Sequence, residues 1–505
     1  MTSRERGETS MMQELAKVSV IERWGRFELS LPGPEDGNPF TEVAFGARFR
    51  QGHRIVEADG FYDGEGCYRV RFMPDTLGMW SYETVSNVPE LNLVQGMFTC
   101  VDPSAGNHGP VGVDREVHFA YADGKPFFSF GTTSYVWNHQ DEELQEITLR
   151  SLAEAGAFNK IRMCVFPKHY DYNLNEPALY PFAGSLEEGW DFTAFNPAYW
   201  RQLERRIEDL QKLGIEADLI LFHPYDRWGF AEMTSETDDF YLRYAVARLS
   251  AFRNIWWSLA NEFDLMKAKT MRDWDRFFRI IQERDAYGHL RSIHNWHHPG
   301  IHYRSNLHWY DHGKPWVSHA SIQHHDLHFV SEWQETFRKP IVVDECRYEG
   351  NLNHGWGNIT AERMVECFWE GVLNGGYVTH GETFLHEDNI IWWSHGGTLH
   401  GESPSRIQFL RRIIEGGPQL GRLSADFQWD IAAGGVDDEY YLVYFGSSRP
   451  GFRMLPLPED ITFTIELIDT WNMTITPLPG AYEGTCRVEL PGKPYQALRI
   501  QATNQ

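Results

Sequence analysis

Between Phe127 and His380, short apolar runs and amphipathic stretches take turns along the chain, and this alternation restricts the fold more than any other property of the sequence. The runs begin near Phe127, Phe158, Ile215, Ile255, Leu290, Val317, Pro340 and Gly376. Helical patterns fill 141–155, 197–213, 238–252, 271–286 and 360–373, with another at 405–415. Apolar strands alternating with helices are the signature of a parallel sheet with crossover helices. Eight such units over roughly 300 residues predict a (β/α)8 barrel.

Both flanks read differently. From Val18 to Pro110 there are short strand-like runs at 43–49, 54–58 and 67–74, with breakers at Asp59-Gly60, Asp63-Gly64 and Gly78, the spacing expected of a β-sandwich. Residues 102–110 read as a linker. Beyond Gly416-Gly417-Pro418, strand-like runs return at 440–445, 461–468 and 497–501. The expected class is therefore α/β: a flexible tail (1–17), an N-terminal β-sandwich (18–110), a (β/α)8 TIM barrel (111–418) and a small C-terminal β-sandwich (419–505).

A formal net charge of -25 disfavours nucleic acid and anionic membranes as partners, because a polyanion would meet long-range repulsion before any contact formed. A neutral partner is the simpler reading, and the 19 tryptophans have rings that can grip apolar ligand faces. Residues 1–22 carry charges throughout and no apolar stretch of signal length, so a cytoplasmic location is expected, with no membrane span. The six cysteines are scattered without a C-x-x-C pair and signal neither a disulfide framework nor a cysteine zinc site. No cofactor is expected, and acidic β-sandwiches beside a barrel make a homo-oligomer plausible.

Two strand ends carry the chemistry. The run from Ile255 ends in Asn261-Glu262, and the run from Pro340 ends in Asp344-Glu345. By count these are the fourth and seventh strands, whose carboxyl ends open onto one face of a barrel, where active sites lie. Cleaving a glycosidic bond creates positive charge at the anomeric carbon while the leaving oxygen needs a proton, which calls for one ionised and one protonated carboxyl group. Glu262 and Glu345 are the candidates. Asp344 is an alternative to Glu345, disfavoured because neighbouring side chains on a strand point to opposite faces.

These residues resemble the large clan of retaining (β/α)8 glycoside hydrolases, in which Asn-Glu ends strand four and a second Glu ends strand seven. The resemblance implies Glu262 as general acid/base, Glu345 as nucleophile, and Asn261 as a donor to the sugar 2-hydroxyl or the nucleophile. It also implies that Arg162 on the second strand holds the nucleophile ionised and that His223 at the end of the third contacts the sugar. Trp24, Asn38-Pro39-Phe40, Gly60-Phe61-Tyr62-Asp63-Gly64, Arg71-Phe72-Met73-Pro74 and Gly78-Met79-Trp80-Ser81-Tyr82 look like the domain DUF5060, and the C-terminal segment resembles its companion DUF5605. Strand eight, with Thr379-His380-Gly381-Glu382, and strand six, with Gln323-His324-His325, depart from common clan patterns. A retaining hydrolase of β-linked glycosides is implied, with exo-action suggested by short imported substrates.

Rings near strand ends, namely Trp137, Tyr225, Trp228, Trp296, Tyr348, Trp392 and Trp393, are candidates to stack on a pyranose. Histidines 294, 297, 298 and 302, with 319, 324, 325 and 328, offer hydrogen-bonding walls, of which His324 is the chosen substrate contact. They also leave open a metal-dependent hydrolase, although H-E-x-x-H is lacking. A non-catalytic carbohydrate-binding protein is the other alternative. Cys346 reads as a packed thiol.

Overall fold

A computed structural model describes residues 19–296, 309–386, 391–423, 427 and 429–503. Its centre is a parallel barrel of strands β1 (Phe130–Thr133), β2 (Lys160–Cys164), β3 (Glu216–Phe222), β4 (Ile255–Ala260), β5 (Arg291–Ser292), β6 (Ala320–Gln323), β7 (Ile341–Glu345) and β8 (Tyr377–His380). Hydrogen bonding runs in the order β5-β4-β3-β2-β1-β8-β7-β6, and a parallel bridge between His294 and Ser321 joins the two ends. The (β/α)8 expectation is met.

Among the described residues, seven helices of eight residues or more surround the barrel: α1 (Glu142–Ala155), α2 (Pro197–Lys212), α3 (Ser235–Leu249), α4 (Met271–Arg284), α5 (Val330–Phe337), α6 (Ala361–Leu373) and α7 (Ser403–Glu415). Their starts follow from capping chemistry. Asp141, Asn196, Thr234 and Thr360 each accept a backbone N–H of the first turn, and Thr270 with Asp273 forms a capping box. Three features escape sequence reading: α5, the hairpin Phe182–Ser185 with Gly189–Phe195 between β2 and α2, and a three-stranded sheet spanning 111–127. That last sheet sits at the amino-terminal end of the barrel, where fully buried Phe119 packs on Trp256, His319 and Tyr377.

Alternation along β2 sets the interior. Ile161 and Met163 face the helices in the main apolar core, while Lys160 and Arg162 are fully buried on the barrel side. The Lys160 Nζ lies 2.9 Å from Asp218 Oδ2 and 2.7 Å from Asp344 Oδ1, and Asp344 also accepts from Ser321 and Thr379. Burial opposes ionisation of Asp344, yet Lys160 and Arg162 hold its carboxyl well below the usual range. Asp344 is thus consumed by the barrel core, and the alternative that it is the working acid is answered by its surroundings. Lys160→Met is expected to destabilise the protein by about 3–5 kcal/mol, measured by denaturant unfolding, because it leaves buried carboxylates uncompensated.

In the N-terminal unit, strand Arg54–Tyr62 pairs with both Phe45–Gln51 and Cys67–Phe72, so the seven-stranded sheet folds over and Phe27 and Phe72 meet Phe49 and Phe98. Its docking on the barrel uses the motif residues. Arg71 donates from Nη1 and Nη2 to Glu204 on α2 at 2.8 and 3.0 Å, and to the carbonyl of Arg248 on α3 at 2.7 Å. Arg248 in turn bonds Glu204 at 2.6 Å and Asp63 at 2.8 Å. Burial opposes ionisation of Glu204, but the two guanidinium groups push its carboxyl down to about 2.

Because that carboxyl is depressed, its contribution to stability is present above the unfolded value and is lost as pH falls through the folded one. Arg71→Ala is expected to cost about 3 kcal/mol or more and to flatten the acid limb of the stability–pH curve. Unfolding midpoints between pH 2 and 7 check both.

At the other end, a five-stranded sheet in the order Ala432–Val436, Tyr440–Tyr444, Gln496–Ala502, Phe463–Asp469, Thr474–Pro477 lies beside the pair Phe452–Pro456 and Thr485–Glu489. It docks on α6, where Trp369 stacks on Tyr444 at 5.2 Å, and on α7, where Arg406 lies 3.7 Å over Trp471. No helix among the described residues is long and apolar enough to cross a membrane. All six cysteines are free thiols.

Candidate active site

β4 and β7 deliver the two glutamates to the carboxyl-terminal mouth. Beyond β4 the backbone turns at Glu262 into the left-handed region, φ 49° and ψ 53°, which is strained for a residue with a Cβ. The turn is locked by Asn261 N–H donating to the Phe222 carbonyl at 3.0 Å and Phe263 N–H donating to that of His294 at 3.0 Å. On β7 a register shift on the β6 side sets Gln323 opposite Glu345. It carries Glu345 to the mouth, one layer above Asp344.

The glutamates face each other. The Gln323 side-chain amide nitrogen is 3.2 Å from Glu262 Oε1 and 2.6 Å from Glu345 Oε2, so one donor group spans the gap. Tyr225 Oη donates to Glu262 Oε2, and Tyr135 Oη donates to Glu345 Oε1. Arg162 reaches Glu345 Oε1 at 3.4 Å and Asn261 Oδ1 at 3.0 Å, which fixes the asparagine relative to the acid beside it.

Electrostatics push the two carboxyl groups apart. For Glu262, burial comes first and the negative charge of Glu345 second; against Lys168, Tyr225 and Gln323 they raise it to about 7. For Glu345, burial also opposes ionisation but is outweighed by His294, Arg162, Tyr135 and Lys168, and the group lies below the usual carboxylate range. Burial drives His294 itself down to about 3, so it is neutral near pH 7 and the working cations are Arg162 and Lys168. One carboxyl group therefore keeps its proton near neutrality while its neighbour is ionised, the pairing that acid-assisted displacement requires.

Above the pair opens a cavity of about 870 Å³. Trp393 lines it, within 5.3–5.6 Å of the rings of Tyr135, Tyr170, Tyr172, Tyr348 and Trp356. Of the residues expected at the site, Tyr225, Asn261, Glu262, Trp296, His324, Glu345, Tyr348 and Trp393 line the cavity. Arg162 lies just beneath them.

Four expected contacts do not line the cavity, the first being Trp228, which is buried with its indole N–H donating to Glu176 Oε2 at 2.9 Å. Trp392 is directed into the core, its indole N–H donating to Thr132 Oγ1 at 2.9 Å, and its neighbour Trp393 takes the position at the cavity. Trp137 is fully buried in the main apolar core. His223 is buried with Nε2 3.2 Å from the Phe166 carbonyl, which ties it to the loop after β2. Among the described residues no group of three or more His, Cys, Asp and Glu side chains is placed to hold a metal ion, while His297, His298 and His302 lie outside the described residues.

Tyr135, Lys168 and Gln323 were not legible as site residues. Tyr135 follows β1 by two positions, so the rule that functional groups gather at strand ends was the available signal. Gln323 ends β6 within the run Gln323-His324-His325 noted above, so the same rule applied to it, whereas Lys168 carried no signal.

Three family models match the chain. Residues 114–429 match the model of the Apiosidase-like catalytic domain, residues 20–87 match DUF5060 and residues 429–501 match DUF5605. No curated protein matches. A crystal structure from Bacteroides vulgatus, whose designation as a glycoside hydrolase is provisional, is 41% identical over 96% of this chain and 100% of its own, with a TM-score of 0.90. A family 5 glycoside hydrolase from the same organism is 16% identical over 79% of this chain and 94% of its own at a TM-score of 0.61, a likeness of fold alone.

Proposed function

Since the chain belongs to the family of Apiosidase-like catalytic domains and is a glycoside hydrolase, we propose that it cleaves β-linked glycosides with retention, using Glu345 as nucleophile and Glu262 as acid/base. The observation that carries this reading is the shared Gln323 amide, whose two bonds hold the facing carboxylate oxygens within about 6 Å of each other. Retaining enzymes place their carboxyl groups about 5–5.5 Å apart, whereas inverting ones leave about 6.5–9.5 Å for a water between them.

In the first step a Glu345 oxygen bonds to the anomeric carbon as the glycosidic bond breaks, and the proton of Glu262 passes to the leaving oxygen. In the second, a water oxygen attacks that carbon, its proton passes to Glu262 and Glu345 departs as carboxylate. Asn261, tied to Arg162, keeps its amide nitrogen available to a sugar hydroxyl. The rings around Trp393 offer apolar faces to the sugar or its aglycone.

The family description makes an apiosyl residue the first sugar to test, in exo-fashion from a short neutral glycoside. Aryl β-apioside and a panel of aryl β-pyranosides, followed by NMR of the product before mutarotation, provide the experiment. Release of the β-anomer is expected; first appearance of the α-anomer sinks the double displacement. The same reading has the enzyme working in the cytoplasm, and recovery of the activity from the medium rather than from cytosol would remove that part.

A further inference from the structure

Lys168 occupies an unusual place beside the carboxylate pair. It follows β2 on a loop held at both sides: Asn173 Nδ2 donates to the Lys168 carbonyl at 2.7 Å, and His169 N–H donates to the Tyr225 carbonyl at 2.9 Å. The side chain is 1% exposed and lines the cavity. Its Nζ lies 3.5 Å from the ring centre of Tyr135, 4.2 Å from Tyr225, 4.6 Å from Tyr170 and 5.5 Å from Trp393. Ring faces of this kind hold an ammonium through their negative quadrupole without taking its charge away.

Two of those rings carry the hydroxyls that bind the acids. Tyr135 donates to Glu345 and Tyr225 donates to Glu262, so the ammonium sits between the two hydrogen-bonded supports. Burial pulls the Lys168 ammonium below the usual lysine value, and both carboxyl groups oppose that pull through space, with no hydrogen bond between them and the lysine. Arg162, in contrast, reaches Glu345 and Asn261, on one side of the pair only. Lys168 is buried from solvent, and a charge so placed keeps much of its through-space strength.

We propose that Lys168 is the shared counter-cation of the Glu262–Glu345 pair, a positioning residue that stays beside the negative charge as it moves between the two carboxyl groups. The inference rests on the double-displacement reading. In the first step Glu345 loses its charge on forming the ester while Glu262 gains one by giving up its proton, and the second step reverses both. A cation bound to either acid alone would stabilise one end of this exchange and oppose the other. A cation caged between Tyr135 and Tyr225 serves both ends.

The other titratable groups facing Lys168 leave it this role. Cys164, pushed up to about 12 by burial, stays a thiol, and His223, pushed down to about 3 by burial, stays neutral. Arg162 is the remaining cation, and Tyr170 is held protonated by burial.

The test is the pH profile of kcat/KM for wild type, Lys168→Met and Lys168→Arg on the best aryl β-glycoside. Loss of the cation is expected to move both limbs upward by about one pH unit, since both carboxyl groups lose a charge that favoured ionisation, and arginine is expected to restore the limbs. Lys168→Gln gives the same reading where the methionine variant does not fold. Limbs that stay in place, whatever the loss of rate, overturn the proposal. Glutamate labelled with ¹³C at the carboxyl, with the Glu262 resonance identified by its loss in Glu262→Gln, gives a readout that needs no turnover. An immobile wild-type substrate panel sinks the hydrolytic reading, whereas a Glu262 titration unmoved by Lys168→Met sinks the counter-cation.

Discussion

Glu345→Gln is expected to lower kcat/KM on an aryl β-glycoside by about 10⁴-fold or more, the scale seen when a nucleophile that works as part of a unit is removed. The replacement keeps an acceptor for Tyr135 and a polar neighbour for Gln323, so the pocket should persist while the attacking charge is gone. Loss of activity alone could follow from a collapsed site, and a second variant removes that ambiguity. Glu345→Ala opens space beneath the anomeric carbon, and added azide should attack from the vacated face to give the α-glycosyl azide. Formation of that product identifies the vacated group as the nucleophile. Turnover by the glutamine variant within tenfold of wild type would remove Glu345 from the mechanism.

The parts of this site that were legible in the sequence are those that strand geometry dictates. β3, β4 and β7 are apolar because both faces of a barrel strand are covered, and the polar residue that ends such a run is forced to the mouth. Thus the pattern of the sequence by itself carries Glu262 and Glu345 to the mouth. β5 is only Arg291–Ser292, too short to show a period, and α5 mixes Trp333 and Phe337 with Glu332, Gln334 and Glu335 over two turns, too few to define an apolar face.

Side-chain direction was harder than position. Trp392 and Trp393 are adjacent in a four-residue helix, and one step of about 100° decides which enters the core and which meets the cavity. His223 ends β3 as expected, but a bond to the neighbouring loop carbonyl turns it away. Lys168 was illegible for a different reason: its four rings come from the segments after β1, β2 and β3 and from the short helix that carries Trp393, and only their meeting in space makes the lysine distinctive. The DUF5060 motif residues show the converse. Asp63 and Arg71 looked like family markers in the sequence, and the structure gives them a physical task as the buried charges that fasten the N-terminal unit to α2 and α3.

Glu262→Gln is expected to lower kcat/KM by about 10²–10⁴-fold on glycosides with poor leaving groups, and by much less on a dinitrophenyl glycoside, whose leaving group departs without a proton. The pH profile adds a sign that a merely structural effect would not reproduce. Burial and the charge of Glu345 raise the Glu262 carboxyl to about 7, so the wild-type enzyme should lose kcat/KM as pH climbs through that region and the acid surrenders its proton. The acidic limb should fall below the usual carboxylate range, where Glu345 takes up a proton against Arg162 and Lys168. In Glu262→Gln the basic limb should vanish while the acidic limb remains. Tyr225→Phe separates acid strength from acid identity: removing the hydroxyl that favours the Glu262 anion should move the basic limb upward with the residue still in place. A basic limb that survives Glu262→Gln and ignores Tyr225→Phe would assign the proton to another group.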